Sequence, residues 1–152
     1  MSKSTSLPST SARGAPENLA ILLREPFRAM TAELMTRLAE RGHPQVRSPH
    51  GNVFQFLDDD GTRVGVLAER AHVTKQAMAQ LVAHLEAHGY VERVTDPGDR
   101  RAKLVRATKR GREVFAVARE FVAEVEERLT ERLGEAKLRQ LRALLRELDS
   151  AL

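Results

Sequence analysis

Apolar residues recur every three or four positions in the N-terminal part of the chain, which is the spacing of one face of an amphipathic helix. They are Leu19, Leu23, Phe27, Met30, Leu34 and Leu38. This pattern predicts a helix over residues 17–41. Pro26 lies inside it and predicts a kink or a late helix start, because proline lacks a backbone donor and clashes with the preceding turn. Gly42, followed by His43 and Pro44, predicts where the helix ends.

Two more long helices are predicted in the C-terminal part of the chain. Thr108 can cap a helix from Lys109 to about Leu133, and Gly134 breaks it. Its apolar positions include Phe115, Ala118, Val122, Val125 and Leu129. A last helix over residues 135–152 carries leucines in alternating steps of three and four, a heptad-like seam. These leucines are Leu138, Leu141, Leu145, Leu148 and Leu152. Such a seam needs an apolar partner, which is either a second copy of the chain or the first helix.

Shorter elements are predicted in the middle of the chain. Ser48 and Pro49 suit the N-cap and first position of a short helix. The apolar residues of this helix are Val53, Phe54 and Leu57. The acidic run at residues 58–60, followed by Gly61, predicts a solvated loop. A brief extended piece and a short helix ending near Ala71 come next.

A helix–turn–helix followed by a hairpin is predicted over the next 40 or so residues. Thr74 can cap a helix from Lys75 to about His88, and Gly89 ends it. Its buried stripe comprises Met78, Leu81, Val82 and Leu85. Strands over residues 90–95 and 103–107 flank a charged Pro-Gly turn, which is a hairpin signal. This order is typical of a winged helix-turn-helix, so the predicted fold class is mainly α with a small β-hairpin wing (α+β).

The distribution of charge along the chain indicates the kind of partner that the protein binds. The net charge is +4, and residues 60–112 carry eleven Lys or Arg against six Asp or Glu. The positive charge therefore coincides with the predicted winged helix, which indicates double-stranded DNA as a partner. The chain has no Cys, which excludes disulfides and thiolate metal sites, and no apolar run long enough to span a membrane. We expect a cytoplasmic protein with no membrane partner, no metal and no cofactor.

The face of the 75–88 helix opposite its buried stripe is small and polar, as a helix that enters the major groove requires. It carries Lys75, Gln76, Ala79, Gln80 and Ala83. Lys and Gln side chains can address guanine and adenine edges, and alanines allow the backbone to approach closely. Thr74 at the helix start can reach a phosphate. On this helix alone, a merely solvated face is an equal alternative.

The predicted hairpin places Arg100 and Arg101 at its tip, where they suit the narrow minor groove. Asp99 would hold an Arg side chain in position through a charge-assisted pair. Further candidates for phosphate contacts are Arg63, Arg93, Lys103 and Arg106. A solvated face is an equal alternative for the residues on the strands.

The stretch from residue 63 to residue 114 resembles the core of the MarR family of bacterial transcription regulators. The matching features are Leu67 with Ala68, the turn at 73–75, the exit at 89–91, the wing residues 99–101, and the helix start at 108–111. The flanking helices fit the family pattern too, so the resemblance extends over roughly residues 17–152. Gly65 departs from it, since a capping Ser or Thr is common there in the family, although Gly is an acceptable cap.

The resemblance implies a homodimer whose first and last helices interlock, with a recognition helix of each subunit in successive major grooves of a pseudo-palindrome. The wings would enter the flanking minor grooves, with Asp99 and Arg101 at the matching positions. Many such proteins are repressors that are released by small, often aromatic molecules. The effector pocket has no sequence motif, so no residue is assigned to it.

The expected organisation is a disordered tail over residues 1–15 and one domain over 16–152. Within this domain, dimerisation helices span 17–47 and 109–152, and a DNA-binding lobe spans 48–108. We place Leu138, Leu141, Leu145 and Leu148 at the dimer interface.

The sequence bears on three other classes of function. The chain has no Gly-rich phosphate loop, nucleophile elbow or suitably paired carboxylates, so we do not expect an enzyme. His84 and His88 lie four positions apart on one helix, which leaves metal-responsive regulation as an alternative. A winged helix that contacts proteins is another alternative. Its binding would not depend on salt, unlike binding to DNA phosphates.

Overall fold

A computed structural model describes residues 18–151, in six α-helices and one hairpin. The helices are α1 (Leu19–Glu40), α2 (Gly51–Phe54), α3 (Val64–Arg70), α4 (Lys75–Ala87), α5 (Lys109–Leu133) and α6 (Glu135–Ala151). A 3-10 turn (Ser48–His50) leads into α2, and the hairpin strands are β1 (Val91–Asp96) and β2 (Asp99–Ala107). The predicted fold class, mainly α with a small β wing, is confirmed. The predicted disordered tail lies outside the described residues.

Helix α1 begins at Leu19 and continues through Pro26, so the predicted late start is wrong. Gly42 follows the helix with a φ of 92°, a conformation that suits glycine and ends the helix as predicted. Of the described residues, 18–33 belong to one compact unit and 34–151 belong to a second. In the first unit, the side chains of Leu19, Leu22 and Phe27 are exposed.

The short turn before α2 begins one residue earlier than the sequence suggested. Arg47, not Ser48, is the capping residue, because the Nδ1 atom of His50 accepts a hydrogen bond from the Arg47 N–H at 2.9 Å. Ser48 and Pro49 are the first residues of the turn itself. The predicted apolar anchors Val53 and Phe54 are buried.

The hairpin is antiparallel, with Val91 paired to Ala107 at its base. Its second strand begins four residues earlier than predicted, because Asp99 already pairs with Asp96. The register then shifts to Thr95 opposite Lys103, so residues 100–102 form a bulge at the tip. Next to the hairpin, Thr62 exchanges both backbone hydrogen bonds with Val105, at 2.9 Å each.

The core lies mainly among the helices and strands between residues 46 and 117. Its completely buried side chains are Val53, Leu67, Met78, Val82, Leu85, Tyr90 and Val105. Helix α5 spans the predicted residues, and of its predicted apolar positions Val125 is buried, Phe115, Ala118 and Leu129 are half-buried, and only Val122 is exposed. Val114, Val117, Phe121 and Val125 are buried, whereas Val122 is 54% exposed. Val122 is one residue beyond Phe121 and therefore lies about 100° around the helix axis.

Candidate nucleic-acid interface

The turn between α3 and α4 fixes where α4 begins. His72 has a positive φ of 53°, and this conformation lets the N–H groups of His72 and Val73 bond back to carbonyls of α3. Thr74 then caps α4, because its Oγ1 atom accepts a hydrogen bond from the Ala77 N–H at 3.1 Å. The predicted cap is therefore confirmed, and the first turn of α4 has a defined orientation.

Helix α4 has a buried face and an exposed face, as its sequence predicts. Met78, Val82 and Leu85 are completely buried, and Leu81 is half-buried. Of the outward-facing residues, Lys75, Gln76, Gln80 and Ala83 are exposed, whereas Ala79 is half-buried and lies at the edge of the face. Within residues 18–151, no hydrogen bond or ion pair engages the side chains at positions 75, 76 and 80. The polar groups of this face are therefore available to a ligand.

The tip of the wing, residues 97–101, presents two exposed arginines. Arg100 and Arg101 lie in the bulge that follows the Pro97–Gly98 turn. In the part of the chain that the structure describes, neither guanidinium pairs with a carboxylate. Two unpaired cations at the end of a narrow hairpin are suited to a region of strongly negative potential.

Asp99 makes the predicted charge-assisted contact, but with a partner outside the wing. Its Oδ2 atom lies 3.7 Å from Nη2 of Arg63, and its Oδ1 atom accepts the backbone N–H of Arg101 at 3.0 Å. Arg63 also bonds to Asp96, with a distance of 2.5 Å between Nη2 and Oδ2. The hydrogen bond from Arg63 holds the pKa of Asp96 below its ordinary value, and the same bond raises the pKa of Arg63.

The cations on the hairpin strands are largely engaged within the protein. Arg93 Nε bonds to Glu86 of α4 at 3.0 Å, and Arg106 bonds to Glu92 at 2.8 Å. Within the described part of the chain, Lys103 bonds only to a hydroxyl, Oγ1 of Thr95, at 2.9 Å. Among these strand residues, Lys103 therefore keeps an uncompensated positive charge.

A column of three histidines, which the sequence did not reveal as a unit, attaches the C-terminal end of α4 to the preceding segment. The rings of His50 and His84 stack with centroids 4.5 Å apart, and His88 lies 4.4 Å from His84. His84 Nε2 donates to the carbonyl of Gln45 at 2.9 Å, and His88 Nδ1 donates to the carbonyl of His84 at 2.8 Å. Burial, helped by the neighbouring His84, lowers the pKa of His50 to about 4.

This arrangement bears on the metal-responsive alternative. One ring nitrogen each of His84 and His88 is used in a hydrogen bond to a carbonyl. No group of three or more potential His, Asp or Glu ligands with the geometry of a metal site occurs among residues 18–151. The histidine column therefore has an evident structural role, which is to pack one end of α4.

A second group of polar residues that the sequence analysis missed surrounds the buried Tyr90. Its hydroxyl donates to Oε1 of Gln45 at 3.0 Å, and the guanidinium of Arg110 lies 4.6 Å above its ring. Nearby, an open cavity of about 250 Å³ is lined by Arg41, His43, Glu113, Ala116 and Val117. Nδ1 of His43 is buried without a hydrogen-bond partner in the described residues. No periodicity or motif marks these residues, because they come from separate segments.

The four leucines predicted at a dimer interface fall into two groups. Leu138 is only 4% exposed within a single chain, so it packs inside the chain and leaves little surface for a partner. Leu141 and Leu145 are 42% and 41% exposed, and Leu148 is half-buried. Leu144, which was not predicted, is 54% exposed and extends the same apolar surface.

The chain is similar to known regulators over most of its length. A family model described as the MarR family matches residues 46–102. The transcriptional regulator HosA of Escherichia coli O157:H7 is 30% identical over 112 residues, which cover 74% of this chain and 80% of HosA. The chain belongs to the MarR family of transcriptional regulators.

Solved structures that resemble this MarR-family chain extend the similarity of fold. One is MepR of S. aureus, solved in a complex with DNA, with a TM-score of 0.74 at 21% identity. The matched region covers 90% of this chain and 100% of the MepR chain. CouR of Rhodococcus jostii RHA1, bound to p-coumaroyl-CoA, has a TM-score of 0.68 at 25% identity and covers 87% of this chain and 92% of its own. These similarities agree with the winged-helix fold described above.

Among residues 18–151, no helix combines the length and the apolar composition needed to cross a bilayer.

Proposed function

We propose that this MarR-family protein binds a pseudo-palindromic DNA operator sequence-specifically as a homodimer and acts as a repressor. The observation that carries the proposal is the pair of unoccupied surfaces at α4 and the wing. The polar residues of the exposed face of α4 have no partners in the described chain, and the wing presents two unpaired arginines. A folded protein that leaves both surfaces open has groups available for base edges and for phosphates.

The proposed roles follow from the chemistry of each side chain. Lys75, Gln76 and Gln80 read base edges in the major groove, and the half-buried Ala79 lets the backbone approach. Thr74 reaches a phosphate next to the start of α4. In the wing, Arg100 and Arg101 enter the minor groove, and Asp99 fixes the backbone of that segment. Of the strand cations, Lys103 is the best-placed phosphate contact because it lacks a carboxylate partner, whereas Arg93 is paired.

Fluorescence anisotropy tests the DNA-binding proposal directly. The purified protein is titrated onto the DNA upstream of its own gene, with random competitor DNA and at several salt concentrations. We expect competitor-resistant binding whose log affinity falls with log salt by about 0.9 for each phosphate contacted. Binding that is absent at low salt would contradict the proposal and favour a winged helix that contacts proteins.

Variants separate base readout from general affinity. Gln76→Ala or Gln80→Ala should relax base preference by about 1–3 kcal/mol for each lost bidentate contact. Arg101→Ala should weaken binding to all sequences similarly. The matched control is Gln140→Ala, an exposed glutamine on α6, which should change neither property. A selection experiment that finds the same base preference in both α4 variants would contradict the assigned readout.

The homodimer is supported by the exposed leucines of α6. An exposed apolar surface on α6 is formed by Leu141, Leu144 and Leu145, and its contact with water is unfavourable. A second copy of the chain would bury this surface in a symmetric assembly. Light scattering at micromolar concentration should give a dimeric mass. Leu145→Glu should shift the protein toward monomer, whereas Gln140→Glu adds the same charge to a neighbouring position and should not. A monomeric mass for the unmodified protein would contradict this part of the proposal.

Release from DNA by a small, aromatic effector is the last part of the proposal. It is supported by the similarity to CouR, which has been solved with p-coumaroyl-CoA bound. A ligand changes the affinity for DNA only if it prefers one conformation of the protein. The test is to add p-coumaroyl-CoA, and separately simple aromatic carboxylates, to the protein–DNA complex and follow anisotropy. Unchanged anisotropy at saturating concentrations of all these compounds would contradict an aromatic effector and leave DNA binding unaffected.

A further inference from the structure

An ion-pair network joins the start of α3 to the tip of the wing, across 33 residues of sequence. Arg63 is the residue just before α3, and its backbone is extended there. Its Nε and Nη2 atoms both bond to Oδ2 of Asp96, at 2.8 Å and 2.5 Å. Nη2 also lies 3.7 Å from Oδ2 of Asp99. One guanidinium therefore contacts both carboxylates that flank the Pro97–Gly98 turn.

Each carboxylate uses its other oxygen to hold the backbone of the tip. Oδ1 of Asp96 accepts the Gly98 N–H at 2.8 Å, and Oδ1 of Asp99 accepts the Arg101 N–H at 3.0 Å. The side chain of Asp96 is only 14% exposed, so the carboxylate of Asp96 is largely shielded from water. The guanidinium of Arg63 is thus connected, through one carboxylate each, to the backbone just before the two wing arginines, at Gly98, and to the backbone of Arg101 itself.

The sheet alone does not fix the orientation of this segment. Regular pairing of the strands ends at Thr95 and Lys103, and the bulge at residues 100–102 interrupts the ladder. A bulge bends and twists a strand and leaves its residues without ladder partners. Towards the base of the hairpin, the bridge between Thr62 and Val105 anchors the residue that precedes Arg63. The segment at 62–63 therefore contacts the hairpin both towards its base and at its tip.

We propose that Arg63 is a positioning residue that holds the wing tip at a fixed place relative to α3 and α4. This inference rests on the proposed function, since it concerns how Arg100 and Arg101 are presented to DNA. It replaces the phosphate contact that the sequence suggested for Arg63. An arginine engaged by two carboxylates has little charge left for a phosphate, whereas it restricts the conformations of the tip before DNA is bound.

The proposal and simple electrostatics predict opposite effects for Asp96→Asn. Removing a negative charge next to DNA should strengthen binding if charge alone matters. If the ion-pair network positions the wing, the same change should weaken binding about fivefold or more, since a conformational restriction is lost. The matched control is Glu92→Gln, which removes one carboxylate from the Arg106 pair on the same two strands and leaves the tip intact. It should not weaken binding.

Two further measurements distinguish positioning from general damage to the fold. Arg63→Ala should weaken binding about as much as Asp96→Asn, and the double variant should lose little more, because both changes break one network. Arg101→Ala should cost less affinity in the Asp96→Asn background than in the unmodified protein, because a displaced wing has already lost that contact. Thermal melting of each variant, compared with Glu92→Gln, shows whether it is folded.

The outcomes are separable from the test of the proposed function. If the unmodified protein binds no DNA, the proposed function fails. If it binds DNA and folded Asp96→Asn binds equally well or more tightly, the positioning role of Arg63 is overturned and the proposed function stands. Additive losses in the Arg63→Ala and Asp96→Asn double variant would also overturn it.

Discussion

Apolar side chains are buried to different extents in the winged-helix lobe, residues 48–108, and in the last helix, α6. In the lobe, Leu67, Met78 and Leu85 are completely buried within one chain. In α6, Leu138 is buried, but Leu144 is 54% exposed and its neighbours remain largely accessible. The apolar stripe of a helix stabilises a protein only when it is buried against another apolar surface. The lobe therefore completes its own core, whereas α6 keeps an apolar surface that supports the homodimer proposal.

The largest effect is expected when one leucine in each region is replaced by alanine. Leu67→Ala removes methyl groups from a site with no exposed surface and should cost about 2–5 kcal/mol of unfolding free energy. Leu144→Ala should cost less than about 0.5 kcal/mol in the isolated chain, because its side chain already contacts water. Urea denaturation at several protein concentrations measures both. The loss for Leu67→Ala should be independent of concentration, whereas that for Leu144→Ala should grow as dimers form.

A loss as large for Leu144→Ala as for Leu67→Ala at the lowest concentration would break the comparison. It would mean that α6 depends on this leucine within a single chain.

The second prediction concerns pH and belongs to the lobe. Burial lowers the pKa of His50 from 6.5 to about 4, with His84, Arg47 and His88 acting in the same direction. Between these pKa values the unfolded chain binds more protons than the folded chain, so stability must fall as the pH falls from 6.5 toward 4. We expect the unfolding free energy to decrease by about 2–3 kcal/mol between about pH 7.5 and pH 4.5 through this residue.

The control is His50→Gln, which should reduce the slope without removing it. Burial also lowers the pKa of His43, so that residue contributes with the same sign. The pKa of Asp58 is lowered by its hydrogen bond from Arg70, and this stabilising effect is lost mainly as the pH falls below the ordinary carboxyl range. Equal slopes for the unmodified protein and His50→Gln would contradict the assignment to His50.

The third prediction compares two glycines in helices. A Cβ atom at Gly111 would overlap the carbonyl oxygen of Tyr90, because α5 begins in direct contact with the lobe. Gly111→Ala should therefore destabilise the protein by about 1–3 kcal/mol. At Gly65 in α3, a Cβ would meet no atom within 4 Å, and Gly65→Ala should stabilise by about 0.5–1 kcal/mol. Thermal melting of both variants would contradict this account if their shifts had the same sign.

The smallest effect concerns the ion pair between α5 and α6. Arg142 and Glu126 form a salt bridge in which both side chains are 44% exposed. Glu126→Gln should change the unfolding free energy by less than about 1 kcal/mol, because exposed pairs are hydrated and screened. The difference from the unmodified protein should disappear in about 1 M salt. A loss that persists in about 1 M salt would show that the contribution of Glu126 is not electrostatic and would contradict this assignment.

The ends of long helices with strong capping signals could be predicted from the sequence. Which face of such a helix is buried was harder to predict. The ends of α5 were predicted correctly, because Thr108 caps it and Gly134 ends it with a φ of 78°. Its apolar stripe was predicted only in part, because Val125 is buried but Val122 is exposed. Closely spaced Ala, Val and Phe residues fit two faces of a helix about equally. The exposed face of α4 was predicted well because its buried stripe is continuous and its neighbours are polar.

Local signals in the sequence were enough to predict the ends of α4 and α5, the buried face of α4, and the charged hairpin that follows it. Caps, glycines and apolar periodicity act within one or two turns, so neighbouring residues carry that information. The ion pair of Arg63 with Asp96, the stacking of His50 on His84, and the burial of Leu138 but not of Leu144 depend on how the elements pack. These contacts join distant residues, and any of several arginines could have paired with Asp96 until the packing of α3 against the hairpin selected one.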